Sequence, residues 1–310
     1  MTKKLNETSA ERSLGIWYAI AAYTAWGILP LYWKALKVVP AIEILANRLL
    51  WSCIFVVGII FFTKGWQDIV KAVSVKRNRI LVSLCSLLIS VNWFTYIWAV
   101  NAGRVVETSM GYYINPLISV LLAVLVLKER LTLWQTISLI LAFVGVSIMA
   151  LSYGKIPWVA LTLAVSFGFY GLFKKMAHLS AITSLALETM LIAPIALVYL
   201  SAKGVQGTGA FGTVSLSITL LLVLSGVVTA VPLLWFAQGT RRIPLSTMGF
   251  IQYLSPTITL FLGVFVYKEP FTHVHAVSFS FIWSALALYS ISGILVLRNR
   301  QSRLLRSDQR

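Results

Sequence analysis

The stretch GYYINPLISVLLAVLVLKER, residues 111–130, has a near copy 140 positions later, IQYLSPTITLFLGVFVYKEP, residues 251–270. Both stretches carry a tyrosine three residues before a proline, continue as an apolar run, and then reach a lysine and a glutamate. The single offset extends far beyond these stretches, which indicates a duplicated unit. The matching residues include Lys34 and Lys174, Leu45-Ala46 and Leu185-Ala186, Tyr113 and Tyr253, Pro116 and Pro256, Lys128-Glu129 and Lys268-Glu269, and Thr132 and Thr272.

The composition places the chain in a lipid bilayer. Hydrophobic residues make up 59% of the 310 residues and charged residues 11%, and the mean hydropathy is +0.86. A water-soluble domain of this size cannot bury so large an apolar fraction. The net charge of +17 fits attraction of basic flanks to anionic lipid, and no nucleic-acid partner is expected because no soluble module is evident to bind one.

Ten apolar runs are long enough to cross roughly 30 Å of hydrocarbon. Their continuous apolarity predicts helices, because the strands of a membrane barrel would alternate. The first run exceeds the apolar core of a signal peptide, so it is predicted to be a span. The runs are about 14–33, 42–62, 80–100, 107–127, 132–152, 157–175, 181–200, 214–237, 244–267 and 272–297.

The distribution of basic residues predicts the orientation. With a cytoplasmic N-terminus, nineteen lysines and arginines fall in inner segments, six in outer segments, and Arg48 within a span. The excess inside predicts that both termini are cytoplasmic.

Five spans in each half is an odd number, so the second half must enter the membrane from the opposite side. Such inverted repeats are typical of secondary transporters, in which the substrate binds near the midplane between the halves. Duplication retained only for stable packing is the alternative. The predicted units are a cytoplasmic tail 1–13, a first repeat 14–153, a second repeat 154–297 and a basic cytoplasmic tail 298–310.

The two prolines explain why the repeated stretches begin with polar residues. Proline in a helix leaves the carbonyl four residues earlier without its donor, and such a carbonyl is costly in hydrocarbon unless protein or water satisfies it. We therefore expect kinks at Pro116 and Pro256 that face a polar interior. The alternative is a filled core in which neighbouring groups satisfy both kinks. Five residues at this level are predicted to line a substrate cavity: Tyr113, Asn115, Gln252, Tyr253 and Ser255.

Two charged residues are predicted inside the membrane, Arg48 in span two and Glu188 at the equivalent position of span seven. A charge near the bilayer centre costs roughly 2.5–3.5 kcal/mol on insertion scales, so each should face the interior and a partner. The duplication makes them each other's expected partner, with Glu43 as a rival for Arg48. Their role is either a gate or an anchor for a substrate carboxylate, or a structural pair that joins the halves.

A carboxylate beside a guanidinium is held in its charged form and carries protons poorly. A paired Glu188 would leave Glu43, Glu107 or no intramembrane residue for proton coupling. Proton coupling therefore stays an open alternative.

Aromatic residues are frequent in spans one, three and six, where Tyr23, Trp33 and Trp93 are examples. Those at helix ends fit the interfacial belts of membrane proteins. Aromatic residues deeper in the membrane would suit an apolar or aromatic solute with a few polar groups. Packing against lipid is the alternative for each of them. The deeper aromatic residues assigned to the cavity are Trp26, Tyr96 and Tyr170, with Asn92 beside them.

Motifs for catalysis are absent from the sequence. Cys53 and Cys85 fall within spans, His273 and His275 lack further metal ligands, and there is no phosphate-binding loop. We expect no enzyme activity, cofactor or metal.

Several motifs resemble those of the RarD proteins, EamA-type members of the drug/metabolite transporter superfamily. The resemblance implies ten helices in two inverted EamA repeats, with a central cavity between spans one, three, four, six, eight and nine. Asn47 departs from the family, which usually has histidine there. The motifs are AAYTAWGILPLYWK (21–34), VPAIEILANRLLWS (39–52), NWFTYIWAVN (92–101), GYYINPLISVLLAVLVLKERL (111–131), VSFGFYGLFKK (165–175), LETM (187–190) and STMGFIQYLSPT (246–257).

Together these features predict an all-α integral membrane protein of ten transmembrane helices. We expect a secondary transporter in the inner (plasma) membrane that exports small metabolites or drugs by alternating access. Members of the resembled family are described as chloramphenicol-sensitivity permeases. A passive facilitator or channel is the alternative. The expected partners are a small-molecule substrate and the lipid bilayer, and the sequence carries no signal for the oligomeric state.

Overall fold

Helices account for nearly all of the computed structural model, which describes residues 2–102, 104–152, 154, 156–266 and 272–307. The helices are α1 (Thr2–Ala35), α2 (Ala41–Thr63), α3 (Trp66–Ser74), α4 (Lys76–Asn101), α5 (Val105–Leu125), α6 (Leu133–Ser152), α7 (Trp158–Ala177), α8 (Ala181–Val205), α9 (Leu216–Arg242), α10 (Leu245–Gln252), α11 (Leu254–Phe261) and α12 (His273–Ser307), with a π-helix at Leu262–Val266.

The ten predicted spans are confirmed. Within the described ranges, nine helical segments are long and apolar enough to cross a membrane, and Met110–Leu125 is a shorter apolar helix. Span nine consists of α10, α11 and the π-helix, which together form one candidate span. The short helix α3 was not predicted and occupies the connection between spans two and three.

The outermost helices are longer than the spans predicted from hydropathy. Because α1 contains 34 residues, it is about 51 Å long and exceeds the thickness of the hydrocarbon core. Most of the predicted N-terminal tail is therefore the polar start of α1. Similarly, α12 continues to Ser307, so the basic C-terminal segment extends the last helix.

The two halves, each of five spans, are related by an approximate two-fold axis. We call the end of the bundle at which α1 begins the Glu129 end, and the opposite end the Glu43 end. Each helix of the second half runs opposite to its counterpart, because five crossings separate them. Accordingly α2 packs on α8, α5 on α10 and α6 on α12, each against its own counterpart, while the pairs α4–α7 and α1–α9 are equivalent to each other.

Small residues allow the closest helix contacts. A Cβ atom added to Gly226 of α9 would lie 2.3 Å from the backbone carbon of Trp51 in α2. The Ser52 hydroxyl also donates a hydrogen bond of 3.0 Å to the Gly226 carbonyl. Close approach and interhelical hydrogen bonds stabilise helix pairs in lipid, where apolar burial alone gives little gain.

Candidate functional site

The predicted pairing of Arg48 with Glu188 is wrong. Each residue lies seven positions after the start of its helix, α2 or α8, about 10 Å from that end at 1.5 Å per residue. A two-fold axis in the membrane plane reverses depth, so Arg48 lies towards the Glu43 end and Glu188 towards the Glu129 end. Equivalent residues can meet only near the axis.

Glu188 pairs with Lys174 instead. Lys174 Nζ lies 2.8 Å from Glu188 Oε1 and 3.0 Å from Oε2, and both side chains are buried. Ser184 and Tyr170 donate further hydrogen bonds to the carboxylate, of 2.7 Å and 3.1 Å. The short connection between α7 and α8 places the end of one helix beside the start of the other. The long lysine side chain can therefore reach Glu188 from the last turn of α7.

Arg48 lies among aromatic side chains rather than beside a carboxylate. Its Cζ atom is 4.3 Å from the ring centroid of Trp93 and 4.9 Å from that of Trp33. Its Nε donates a hydrogen bond of 3.1 Å to the hydroxyl of Thr229. Tyr96 and Tyr112 lie within electrostatic reach of the guanidinium. The Arg48 site, as we call it, comprises Arg48, Trp33, Trp93, Tyr96, Tyr112 and Thr229.

Five helices from both halves of the protein build the Arg48 site, namely α1, α2, α4, α5 and α9. Tyr112 is 41% exposed, although its ring lies 6.0 Å from that of Tyr96 on a neighbouring helix. Part of the Tyr112 side chain is therefore not covered by protein. The terminal nitrogens of Arg48 donate no hydrogen bond within the described part of the chain, yet they are not fully covered by protein.

The other residues assigned to the cavity from spans one, three and six have protein partners. Asn92 donates hydrogen bonds of 2.9 Å to the carbonyl of Leu163 and 3.0 Å to the hydroxyl of Ser166. Trp26 is half-buried and lies 5.6 Å, centroid to centroid, from Phe167. Tyr170 is fully buried. Of the four residues assigned to the cavity from these spans, only Tyr96 lies in the Arg48 site.

The polar residues near the two prolines form a packed seam between α5 and α10–α11. Tyr113, Asn115, Gln252 and Tyr253 are each buried, while Ser255 is half-buried. This conformation therefore corresponds to the filled-core alternative. The seam is incompletely satisfied, because Asn115 Oδ1 and the Tyr253 hydroxyl are buried without a hydrogen-bond partner.

The prolines differ in their local effect. α5 continues through Pro116, whereas span nine is interrupted after Gln252, the fourth residue before Pro256. The Tyr113 hydroxyl donates a hydrogen bond of 3.1 Å to the Pro256 carbonyl. One proline-containing segment is thus joined to the other.

Glu43 is not the partner of Arg48 either. It is buried, and its Oε1 accepts a hydrogen bond of 2.5 Å from the backbone N–H of Ala210 in the connection between α8 and α9. Its Oε2 has no hydrogen-bond partner. Glu43 therefore joins α2 to a connection at its own end of the bundle.

Glu129 links the two halves at the opposite end of the bundle. Its carboxylate accepts hydrogen bonds from the backbone N–H groups of Leu245 and Ser246, at 2.8 Å and 3.1 Å, and from the Ser246 hydroxyl at 2.6 Å. A carboxylate that caps the start of a helix is stabilised by the N–H groups and the helix dipole. Glu129 of the first half therefore binds the start of α10 in the second half. The equivalent residues Lys268 and Glu269 lie outside the described residues.

Some residues of the site could not be identified from the sequence. Thr229 is one small polar residue in an apolar run, and only the α2–α9 contact brings it to Arg48. Trp33 and Trp93 could be recognised as aromatic residues of spans one and three but not as partners of an arginine.

The chain matches the EamA-like transporter family over residues 13–151 and again over 155–291. It is 50% identical over 292 residues to the uncharacterized transporter YojE of Bacillus subtilis, covering 92% of this chain and 96% of that protein. It is 39% identical over 284 residues to protein RarD of Escherichia coli, covering 92% and 96%. A crystal structure with 17% sequence identity has a TM-score of 0.67 and covers 89% of this chain and 97% of that one, a likeness of fold alone.

Proposed function

Because the chain belongs to the EamA-like transporter family and is a multi-pass membrane transporter of the drug/metabolite type, we propose that it exports small organic metabolites or drugs as a secondary carrier. The observation that carries this proposal is the unequal state of the two ends. Lys174 and Glu188 are buried at the Glu129 end, whereas Tyr112 of the Arg48 site in the other half is partly exposed.

The proposed orientation follows from charge. Most lysines and arginines lie in segments at the Glu129 end, including Lys64 and Arg242, so this end is assigned to the cytoplasm of an inner (plasma) membrane protein. Both termini are then cytoplasmic. We propose that the conformation described above is the outward-facing state of an alternating-access carrier.

A passive facilitator would need a path that is open at both ends together. Glu129 binds α10, and the buried pair of Lys174 and Glu188 lies further inside at the same end. Opening this end requires breaking several charge-assisted contacts, which favours a carrier with a gated cytoplasmic side.

The seam residues are proposed to line the cavity when the Glu129 end opens. Two buried polar atoms without partners, Asn115 Oδ1 and the Tyr253 hydroxyl, would gain water in that state. A cysteine-accessibility scan over positions 113, 115, 252 and 253 tests this: labelling during transport supports it, and protection from both faces contradicts it.

Proton coupling is proposed only through residues other than Glu188, because both oxygens of that carboxylate already bind Lys174. The candidates are Glu43 and Glu107, and the Glu107 side chain lies outside the described residues. If transport depends on pH, the dependence should be lost in Glu43→Gln or Glu107→Gln. Retention in both variants would exclude proton coupling through either residue.

The direct test of export is an untargeted comparison of metabolites released by cells with and without the protein. We expect at least one small organic compound to accumulate outside only the producing cells. Chloramphenicol susceptibility is measured on the same strains, because that link comes from family resemblance. Identical metabolite profiles under all growth conditions would contradict the proposed export.

A further inference from the structure

We propose that Arg48 is the anchor for the carboxylate of a small organic anion with an apolar or aromatic body. This inference rests on the proposed carrier function and names the substrate class of its outward-facing site.

The first observation is an unneutralised cation. Within the described residues, no carboxylate lies within ion-pair distance of Arg48, and its one hydrogen bond to protein is from Nε to Thr229. An arginine in a spanning helix is costly to insert, and such residues usually face a pathway or a partner. The missing negative charge is the feature to be explained.

The second observation is which part of the Arg48 guanidinium remains free to bind a ligand. Contacts with Trp33 and Trp93 are made through the faces of the rings, as in other cation–π interactions. The terminal nitrogens of the guanidinium donate no hydrogen bond within the described residues and are not fully covered by protein, so this edge remains available to a ligand. This edge matches a carboxylate, which can accept two parallel hydrogen bonds from it.

The third observation comes from the duplication. In the second half, Lys174 lies 5.2 Å from the centre of the Tyr170 ring and pairs with Glu188. At the position equivalent to Glu188, the first half carries Arg48. The second half neutralises its carboxylate with its own lysine, whereas among the described side chains around Arg48 the first half has a cation over aromatic rings and no carboxylate paired with it.

The surroundings define the rest of the ligand. Trp33, Trp93, Tyr96 and Tyr112 offer aromatic surface, and Tyr112 is the most accessible of them. One arginine without a second cation in the Arg48 site suits a singly charged carboxylate better than a phosphate. A compact acid with an apolar or aromatic body fits both features.

The binding test compares matched acids and amides. Purified protein is titrated by calorimetry with benzoate, phenylacetate and hydrocinnamate, and with the corresponding uncharged amides. One charge-assisted hydrogen bond gives about 1.5–3 kcal/mol, so at least one acid should bind about tenfold or more tightly than its amide. In Arg48→Gln this preference should disappear, and Arg48→Lys should keep part of it.

The control variant is Arg242→Gln. Arg242 also lies over an aromatic ring, with its Cζ 5.4 Å from the centre of the Tyr18 ring, but it pairs with Glu11 at the protein surface. The acid preference should survive this change. Thermal unfolding of every variant separates loss of binding from loss of folding. If no acid binds more tightly than its amide in the wild-type protein, or if folded Arg48→Gln keeps the preference, the proposal is overturned.

Export by cells distinguishes this inference from the carrier function on which it rests. If compounds are exported but are uncharged, and Arg48→Gln exports them at the wild-type rate, the carboxylate anchor fails while the carrier function stands. If nothing is exported, the carrier function itself fails. Export of carboxylic acids that depends on Arg48 supports both.

Discussion

Lys174 Nζ and Glu188 Oε1 lie 2.8 Å apart in the interior of the bundle, joining α7 to α8 near the Glu129 end. Removing one partner of a buried pair leaves an unpaired charge and costs about 3–5 kcal/mol, whereas replacing both by apolar residues is often tolerated. We therefore expect Lys174→Met and Glu188→Leu each to lower the unfolding temperature in detergent. The double variant should recover most of the loss. Equal losses in the single and double variants would contradict a mutual pair.

Glu129 is expected to keep the Glu129 end of the bundle closed. Glu129→Ala removes the acceptor for the first N–H groups of α10 and should raise the fraction of molecules open at this end. A cysteine at position 237, where Ala237 is buried in α9, reports opening by maleimide labelling once Cys53 and Cys85 are replaced. Labelling should become several-fold faster.

Glu11→Gln is the matched control for Glu129→Ala. Glu11 pairs with Arg242 at the surface, with its side chain 62% exposed, and exposed pairs contribute about 0–1 kcal/mol. The rate of maleimide labelling at position 237 in Glu11→Gln should equal that in the parent protein. Equal rates for Glu129→Ala and the parent would show that Glu129 is not a latch.

Gly226 is expected to tolerate no side chain. Its added Cβ would overlap the backbone of α2, so Gly226→Ala must separate the helices or distort them, at a cost of about 1–3 kcal/mol. Gly58→Ala is the control, because a Cβ there meets no atom within 4 Å and alanine is the better helix former. Unfolding temperatures should fall for the first variant and stay equal or rise for the second. A similar change in both would contradict the α2–α9 contact.

Much of the fold follows from two signals in the sequence. Apolar length predicts the spans, and the offset that relates Pro116 to Pro256 predicts two halves of opposite direction. Helix α3 was missed because its nine residues mix apolar and charged side chains in a basic connection. The ends of α1 and α12 were placed too far inward because hydropathy marks the apolar core of a helix and not its polar extensions.

The site was less predictable because it depends on depth and on contacts between distant helices. Equivalence in the duplication suggested a pair between Arg48 and Glu188, but residues away from a two-fold axis are carried to opposite ends. The partners of Arg48 are 15 to 181 positions away in the chain, from Trp33 to Thr229. Sequence spacing alone cannot select them from the many other aromatic and hydroxyl residues.

Counterflow in proteoliposomes tests alternating access most directly. Vesicles containing the purified protein are loaded with an unlabelled exported compound and diluted into a trace of the labelled compound. A carrier that exposes its site to one side at a time should accumulate the label transiently above its equilibrium level and saturate with substrate. Simple equilibration without overshoot, at a rate proportional to concentration, would contradict the carrier and indicate a channel.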